Sequence, residues 1–337
     1  MNNKISFCRS GIFRVLLKAV ERQYPGTLNK IDLPDVIFEN PMRLIPLPEI
    51  SRYFNKLAEK TEDKLFIVHC GPHISLHDCN HLNYLIASSN DLFTAIMRFN
   101  AVLSTFQSNS EAFMIRSGSI NKWRYNDISF RDKDRLFDGI IAMWFFIQLL
   151  RTFHGKEYLP RRILLPGNQI GKDGEVENFI GCSIDWNQKE TQVWFTYDEL
   201  VKRKSYVQQQ LFGSKLDHQE ILSYIDMPLS NDFLRCIYEV INYSKDFGFP
   251  KLENVAKLIN LSPQQLQRRL KKEHLSFTEL VNHQLLCNQA PRLLSKYSIS
   301  EVSRMLGYQS EQSFTKAFRR MHKLTPRQYI NELIERW

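Results

Sequence analysis

The sequence predicts an α+β N-terminal domain followed by an all-α C-terminal domain with two helix-turn-helix units. Three observations carry this expectation. Helix starts written in capping chemistry crowd the C-terminal third. Segments of period two alternate irregularly with segments of helical period before residue 226. Positive charge is concentrated after residue 230.

The capping signals come first. Ser262-Pro263-Gln264-Gln265 reads as an N-cap serine, a proline at the first helical position and a glutamine reaching back from the third. Thr325-Pro326-Arg327-Gln328 repeats that design, and Ser276 with Glu279 and Ser298 with Glu301 are two further capping boxes. So many starts in so short a stretch imply short, sharply bounded helices. Leu252, Val255, Ala256, Leu258 and Ile259 form the apolar face of one helix, ending near Asn260, which tolerates a left-handed backbone. The next helix, from Pro263, buries Leu266 and Leu270. Phe277 to Leu294 reads as a longer connecting helix. In the second unit Val302, Met305 and Leu306 form a face, Gly307 ends the helix and Ser310 caps its successor. There Phe314, Ala317, Phe318 and Met321 have the spacing of a core stripe.

Residues 231–337 hold 17 Lys/Arg against 10 Asp/Glu, a surplus of +7 within the chain's +9. That asymmetry points to a polyanionic partner for the C-terminal third. Opposite the buried leucines, Gln264, Gln267 and Arg268 are placed to reach base edges, and Gln and Arg make bidentate hydrogen bonds to adenine and guanine. Lys271 and Lys272 in the last turn suit the helix dipole and phosphate contact. On the second helix Glu311, Gln312, Ser313 and Lys316 are expected to be exposed. Lys316, Arg319 and Arg320 read first as phosphate contacts.

The N-terminal part is expected to hold strands at Leu65–Cys70, Ala112–Arg116, Asn121–Tyr125, Arg162–Leu165 and Gln192–Thr196. Helices are expected at Ile50–Thr61, Leu82–Ala87, Leu92–Phe106, Leu136–Phe153 and Glu199–Leu211. The mixed order argues against a long parallel βαβ series. An apolar content of 43% supports ordered cores rather than disorder. The six cysteines contain no C-x-x-C pair and read as reduced thiols. Lys4, Arg9, Arg14 and Lys18 interrupt the first apolar stretch, which makes a poor signal peptide. The apolar run from Gly139 to Leu150 is too short for a membrane span and reads as a buried helix.

Two constellations invite a chemical reading. His69, Cys70, His73, His77, Cys79 and His81 fall within one short segment and could bind a borderline metal or sense redox state. Their spacing fits no structural zinc pattern, so ordinary loop and core residues is the reading adopted and no metal or cofactor is expected. Gly167-Asn168-Gln169-Ile170-Gly171-Lys172-Asp173 has the wrong glycine spacing for a P-loop, and Asp173 stands where a magnesium-binding hydroxyl is needed, so it reads as a turn after a strand. No G-x-S-x-G, H-E-x-x-H or dinucleotide fingerprint is present, and no enzymatic activity is expected.

The segment Ile299-Ser300-Glu301-Val302-Ser303-Arg304-Met305-Leu306-Gly307-Tyr308, then Ser310-x-x-Ser313-Phe314-x-x-Ala317-Phe318-Arg319-Arg320, then Thr325-Pro326-x-x-Tyr329, resembles the AraC/XylS signature. Leu261-Ser262-Pro263-x-x-Leu266-Gln267-Arg268-Arg269-Leu270 is similar to the family's first unit. The resemblance implies two recognition helices in successive major-groove segments about one helical turn apart. It assigns base contacts to Gln264, Gln267, Arg268, Glu311, Gln312, Ser313 and Lys316. Three positions depart from the family. Lys323 stands where glycine is usual, Leu286 stands where arginine is frequent, and Pro291 lies inside the connecting helix, where a kink is expected. Further upstream, Asn40-Pro41-x-Arg43-Leu44-Ile45-Pro46-Leu47, Tyr84-Leu85-x-Ala87-Ser88-Ser89 and Phe179-x-Gly181-Cys182 resemble the effector domains of ornithine-utilisation-type regulators. That implies small-molecule sensing, self-association or both.

The expectation is therefore a cytoplasmic transcription regulator. Residues 1–226 form an effector-sensing and dimerisation α+β domain, 227–231 a junction, and 232–337 the double helix-turn-helix reader. Its partners are double-stranded DNA, an unidentified small-molecule effector whose binding residues the sequence does not disclose, a second copy of the chain and, by resemblance alone, RNA polymerase as an activator's target. No membrane is involved. The alternative is a constitutive or architectural DNA-binding protein whose N-terminal domain only self-associates or binds a protein partner.

Overall fold

The computed structural model describes residues 4–203 and 226–335. Compactness divides the chain into two units, one of Ser6–Arg43 with Ile50–Ser230, the other of Met1–Ile5, Leu44–Glu49 and Asn231–Trp337.

Up to residue 203 the elements run β1 (Phe7–Arg9), α1 (Ser10–Gln23), α2 (Val36–Glu39), β2 (Leu44–Pro46), α3 (Leu47–Thr61), α4 (Phe66–His69), α5 (Asn80–Ala87), α6 (Leu92–Phe106), β3 (Ser110–Ser117), β4 (Ile120–Asp127), α7 (Asp132–His154), β5 (Arg162–Leu164), α8 (Glu175–Ile180), β6 (Ile184–Asp185), β7 (Thr191–Thr196) and α9 (Tyr197–Leu200). This is the α+β class read from the sequence. Five strands form a mixed sheet in the order β3-β4-β7-β5-β6, antiparallel except for β5 with β6. The alternation that predicts β4 and β7 buries Trp123 and Tyr125 on one and Val193 and Phe195 on the other. Helix α7 packs on β4 and β7. Its Phe146 stacks flat on Trp123 with ring centroids 3.6 Å apart.

By length and composition α7 alone among the described helices could cross a membrane, but 78% of its apolar window is buried inside the protein. It is the core helix that the Gly139–Leu150 run predicts. The charges near the N-terminus are also explained, because Arg14, Lys18 and Arg22 recur at helical spacing on α1 while Leu16, Leu17 and Val20 are buried. One expected strand is wrong. Leu65–Cys70 folds as helix α4, with His69 N–H bonded to Leu65 O and Cys70 N–H to Phe66 O. Leu65, Phe66, Ile67 and Val68 are all buried, and a short apolar run buried on every side carries no period to separate strand from helix. In the expected helix Glu199–Leu211, only the turn Tyr197–Leu200 is helical, closed by a Thr196–Glu199 capping box; residues 204–211 lie outside the described residues.

The second unit is helical through its C-terminal part: α10 (Phe233–Ser244), α11 (Leu252–Leu258), α12 (Pro263–Lys272), α13 (Phe277–Asn282), a π-helical stretch (His283–Gln289), α14 (Ala290–Leu294), α15 (Ile299–Met305), α16 (Glu311–His322) and α17 (Pro326–Glu335). The expected caps form. Ser262, Ser276 and Ser298 each close a reciprocal box with Gln265, Glu279 and Glu301, and Thr325 does so with Gln328. Three helices end in the same Schellman motif. Left-handed Asn260, His274 and Gly307 are followed by Leu261, Leu275 and Tyr308, whose N–H groups return to Ala256, Leu270 and Ser303. Met305 and Met321, expected in the core, are instead 38% and 37% exposed. Each lies at the margin of its apolar stripe, and Val302, Leu306, Phe314 and Phe318 fill the interior without them.

The connecting helix runs on through Pro291, where a kink is expected, and what changes there is its hydrogen-bond pattern. A seven-residue π-helical stretch precedes the proline, which then enters in the first turn of α14, where it offers no N–H to that stretch.

Candidate nucleic-acid interface

Each helix-turn-helix pairs a short supporting helix with a longer polar one: α11 with α12, and α15 with α16. On α12, Leu266 and Leu270 are buried while Gln264, Gln267, Arg268, Lys271 and Lys272 are exposed. Those five positions recur at i, i+3, i+4, i+7 and i+8, which places them on one face. On α16, Phe314 and Phe318 are buried while Glu311, Gln312, Ser313, Lys316, Arg319 and Arg320 are exposed.

The second helix gathers its residues more tightly than the sequence discloses. Glu311, Gln312, Lys316, Arg319 and Arg320 line one surface groove together with Thr315 and Thr325. The two threonines were missed, although the helical recurrence of 311, 312, 316, 319 and 320 leaves position 315 as its missing member. Ser313 does not join the groove. Its hydroxyl donates to the Ser310 carbonyl at 2.7 Å and its N–H to Ser310 Oγ at 3.2 Å, so it serves the cap and retains only acceptor capacity. Gln265 and Gln328 are likewise occupied by capping. Arg268, Lys271, Lys272, Lys316, Arg319 and Arg320 form no ion pair among the described residues. Cations left without carboxylate partners are what a phosphate backbone requires.

Backbone geometry sets the turn before α16. Gly307 has φ +79°, and a Cβ there would lie 2.6 Å from the Gly248 carbonyl carbon. Tyr308 then packs edge-on against Phe249 and Phe314. After α16, Lys323 itself adopts φ +63°, and its N–H returns to Arg319 O at 2.9 Å. The glycine-type conformation is therefore retained with a lysine in it.

In the other constellations several side chains are held by neighbours within the fold. Asp78, within the histidine- and cysteine-bearing segment, is held by Lys18 and Arg22, whose hydrogen bonds keep its carboxyl below the usual range against the opposing effect of burial. His69 Nδ1 pairs with Asp63 at 2.6 Å. Cys70 and Cys79 are buried, and Gly71 is packed under the Trp144 ring. Among the described residues no group of three or more His, Cys, Asp or Glu is arranged to hold a metal ion, and the side chain of His81 lies outside them. In the 167–173 loop the Lys172 N–H is taken by the Glu175 carboxylate at 2.7 Å, which is opposite in sign to a phosphate cradle.

A double helix-turn-helix unit with unpaired cations, joined to an α+β domain, defines a DNA-binding regulator. The family model described as "Helix-turn-helix domain" matches residues 255–332, and that described as "Arabinose-binding domain of AraC transcription regulator, N-term" matches residues 25–203. The chain belongs to the AraC family of transcription regulators. The regulator AdiY of Escherichia coli is 28% identical over 124 residues, 36% of this chain and 48% of its own length. VirS of Mycobacterium tuberculosis is 22% identical over 193 residues, 54% of this chain and 53% of its own. The chain spans about half the length of these curated relatives. The solved structure of the transcriptional regulator CdpR from Pseudomonas aeruginosa is similar with a TM-score of 0.38 and 16% identity, over 94% of this chain and 96% of that one.

Proposed function

We propose that this protein is a sequence-specific, effector-responsive transcription regulator of the cytoplasm. Residues 1–226 sense and self-associate, 227–231 form the junction, and 232–337 read DNA. Helices α12 and α16 enter two successive major-groove segments. Gln264, Gln267 and Arg268 read one, while Glu311, Gln312, Lys316 and, as an acceptor only, Ser313 read the other. Lys271, Lys272, Arg319 and Arg320 hold phosphates. The observation that carries the reading is the repetition: two capped helices of one design, each with a single exposed polar face ending in unpaired cations. Effector binding shifts the population of states competent to engage paired half-sites, and RNA polymerase contact follows on the DNA.

Two substitutions test the division of labour. Arg268→Ala loses about 1–3 kcal/mol of discrimination between cognate and altered sites. Lys272→Ala weakens binding to all duplexes alike and lowers the salt slope by about one. Uniform loss in both variants overturns the assignment, and sequence-independent binding by the unaltered protein would favour an architectural role.

A further inference from the structure

The unit that carries the sheet contains a cavity that is partly open to solvent. Its wall is mostly apolar, with Phe13, Phe54, Phe99, Phe106 and Phe145 prominent. Polar groups converge at one place, where Gln107, Tyr125 and Asp138 meet the cavity. Asp138 Oδ1 accepts from Gln107 Nε2 at 2.9 Å and Oδ2 from the Tyr125 hydroxyl at 2.7 Å. The same Gln107 Nε2 donates to Asp127 at 2.8 Å, and Asp127 also accepts the Ser129 N–H at 2.6 Å. Two buried carboxyl groups thus share neutral donors at the end of an apolar chamber.

We propose that this cavity is the effector site and that its ligand is a compact apolar molecule bearing one protonated amine. The proposal rests on the reading of the N-terminal domain as a sensor, and specifies what it senses. A polyhydroxylated ligand would bury hydroxyls against phenylalanine rings without partners. A carboxylate ligand would place a negative charge beside Asp138 with no cation among the described residues of the cavity wall to balance it. An ammonium group beside Asp138 supplies the charge that the neutral donors lack.

The surrounding charges agree. The groups facing Asp138 are Tyr125 and Asp127 from β4 and Cys8 from β1. Arg9, next to Cys8, donates to the Thr105 and Met42 carbonyls, and Arg135, near Asp127, donates to Asn126 and to the Lys189 carbonyl. Burial, reinforced by Asp127, pushes the Asp138 carboxyl up to about 8. Below that pH the incoming ammonium displaces the carboxyl proton to solvent, leaving a carboxylate–ammonium pair. Amine affinity therefore rises with pH up to about 8, by at most about tenfold per unit.

The test is calorimetry on the full-length protein with 2-phenylethylamine, 2-phenylethanol and phenylacetate, in buffers of differing ionisation heat. The amine binds at least about tenfold tighter than the alcohol near pH 8 and releases close to one proton near pH 7. Asp138→Asn removes that preference and the proton release while retaining alcohol binding; Ala142→Leu, which fills the chamber, abolishes binding of all three. Tighter binding of alcohol or carboxylate overturns the amine assignment, as does failure of every probe in protein that still binds DNA. Full amine binding by Ala142→Leu overturns the location. An amine that binds as described but leaves DNA affinity and transcription unchanged refutes the sensor reading instead.

Discussion

His322, in the last turn of α16, donates from Nε2 to the main-chain carbonyl of Leu286 at 2.8 Å. The carbonyl lies in the π-helical stretch of the connecting helix, and continuing its five-residue pattern from Leu286 requires an N–H at position 291. Proline supplies none. The acceptor left over by Pro291 is thus served by α16. The His322 ring is held for this by stacking on Phe318, with centroids 4.2 Å apart.

His322→Ala should therefore destabilise the C-terminal unit by about 1–3 kcal/mol, the cost of an unsatisfied buried acceptor with some lost packing. Pro291→Ala returns an N–H and makes the bond to His322 partly dispensable. Denaturant unfolding of the single and double variants should give a coupling of about 1 kcal/mol. Pro291→Ala should also change the bend or half-site spacing of bound DNA, measured by footprinting and by mobility of circularly permuted fragments. An additive cycle with an unchanged footprint would show that the two residues act separately.

Two left-handed positions near this helix should respond in opposite directions. Lys323 has φ +63°, so Lys323→Gly removes backbone strain and stabilises by about 1 kcal/mol. Gly307→Ala forces a Cβ to within 2.6 Å of the Gly248 backbone at φ +79° and should cost about 2–4 kcal/mol. Thermal unfolding of both variants checks the pair, and equal shifts in the same direction would contradict it.

The contrast marks what the sequence discloses. Capping boxes and Schellman ends are local, so Ser262, Ser276, Ser298, Asn260 and Gly307 are legible one by one. That Gly307 must be glycine for a second reason, the approach of Gly248, is a long-range fact that no local pattern holds. The exposed polar faces of α12 and α16 are likewise legible from helical spacing, but the return of the Ser313 hydroxyl to Ser310 is not. The cavity was wholly hidden. Gln107, Tyr125 and Asp138 come from separate elements, and only the packing of α7 on β4 brings them together.

The buried carboxyl also sets a pH dependence in the absence of any ligand. Asp138, at about 8 in the fold, lies above its ordinary value of 3.8, so the folded protein holds a proton that the unfolded chain releases. Stability of the N-terminal unit should fall as pH rises from about 4 to about 8 and level off above, and Asp138→Asn should flatten that slope. Urea unfolding followed by tryptophan fluorescence checks it, and stability rising across the same interval would contradict the burial of Asp138.

The central claim is that one chain reads DNA with two helices. Selection of the full-length protein against random duplexes, with affinity then followed across salt, tests it most directly. Two short boxes separated by about one helical turn, of about 10 base pairs, are the predicted result, with Arg268→Ala relaxing one box and Lys316→Ala the other. A single box, or steeply salt-dependent binding without sequence preference, would contradict it.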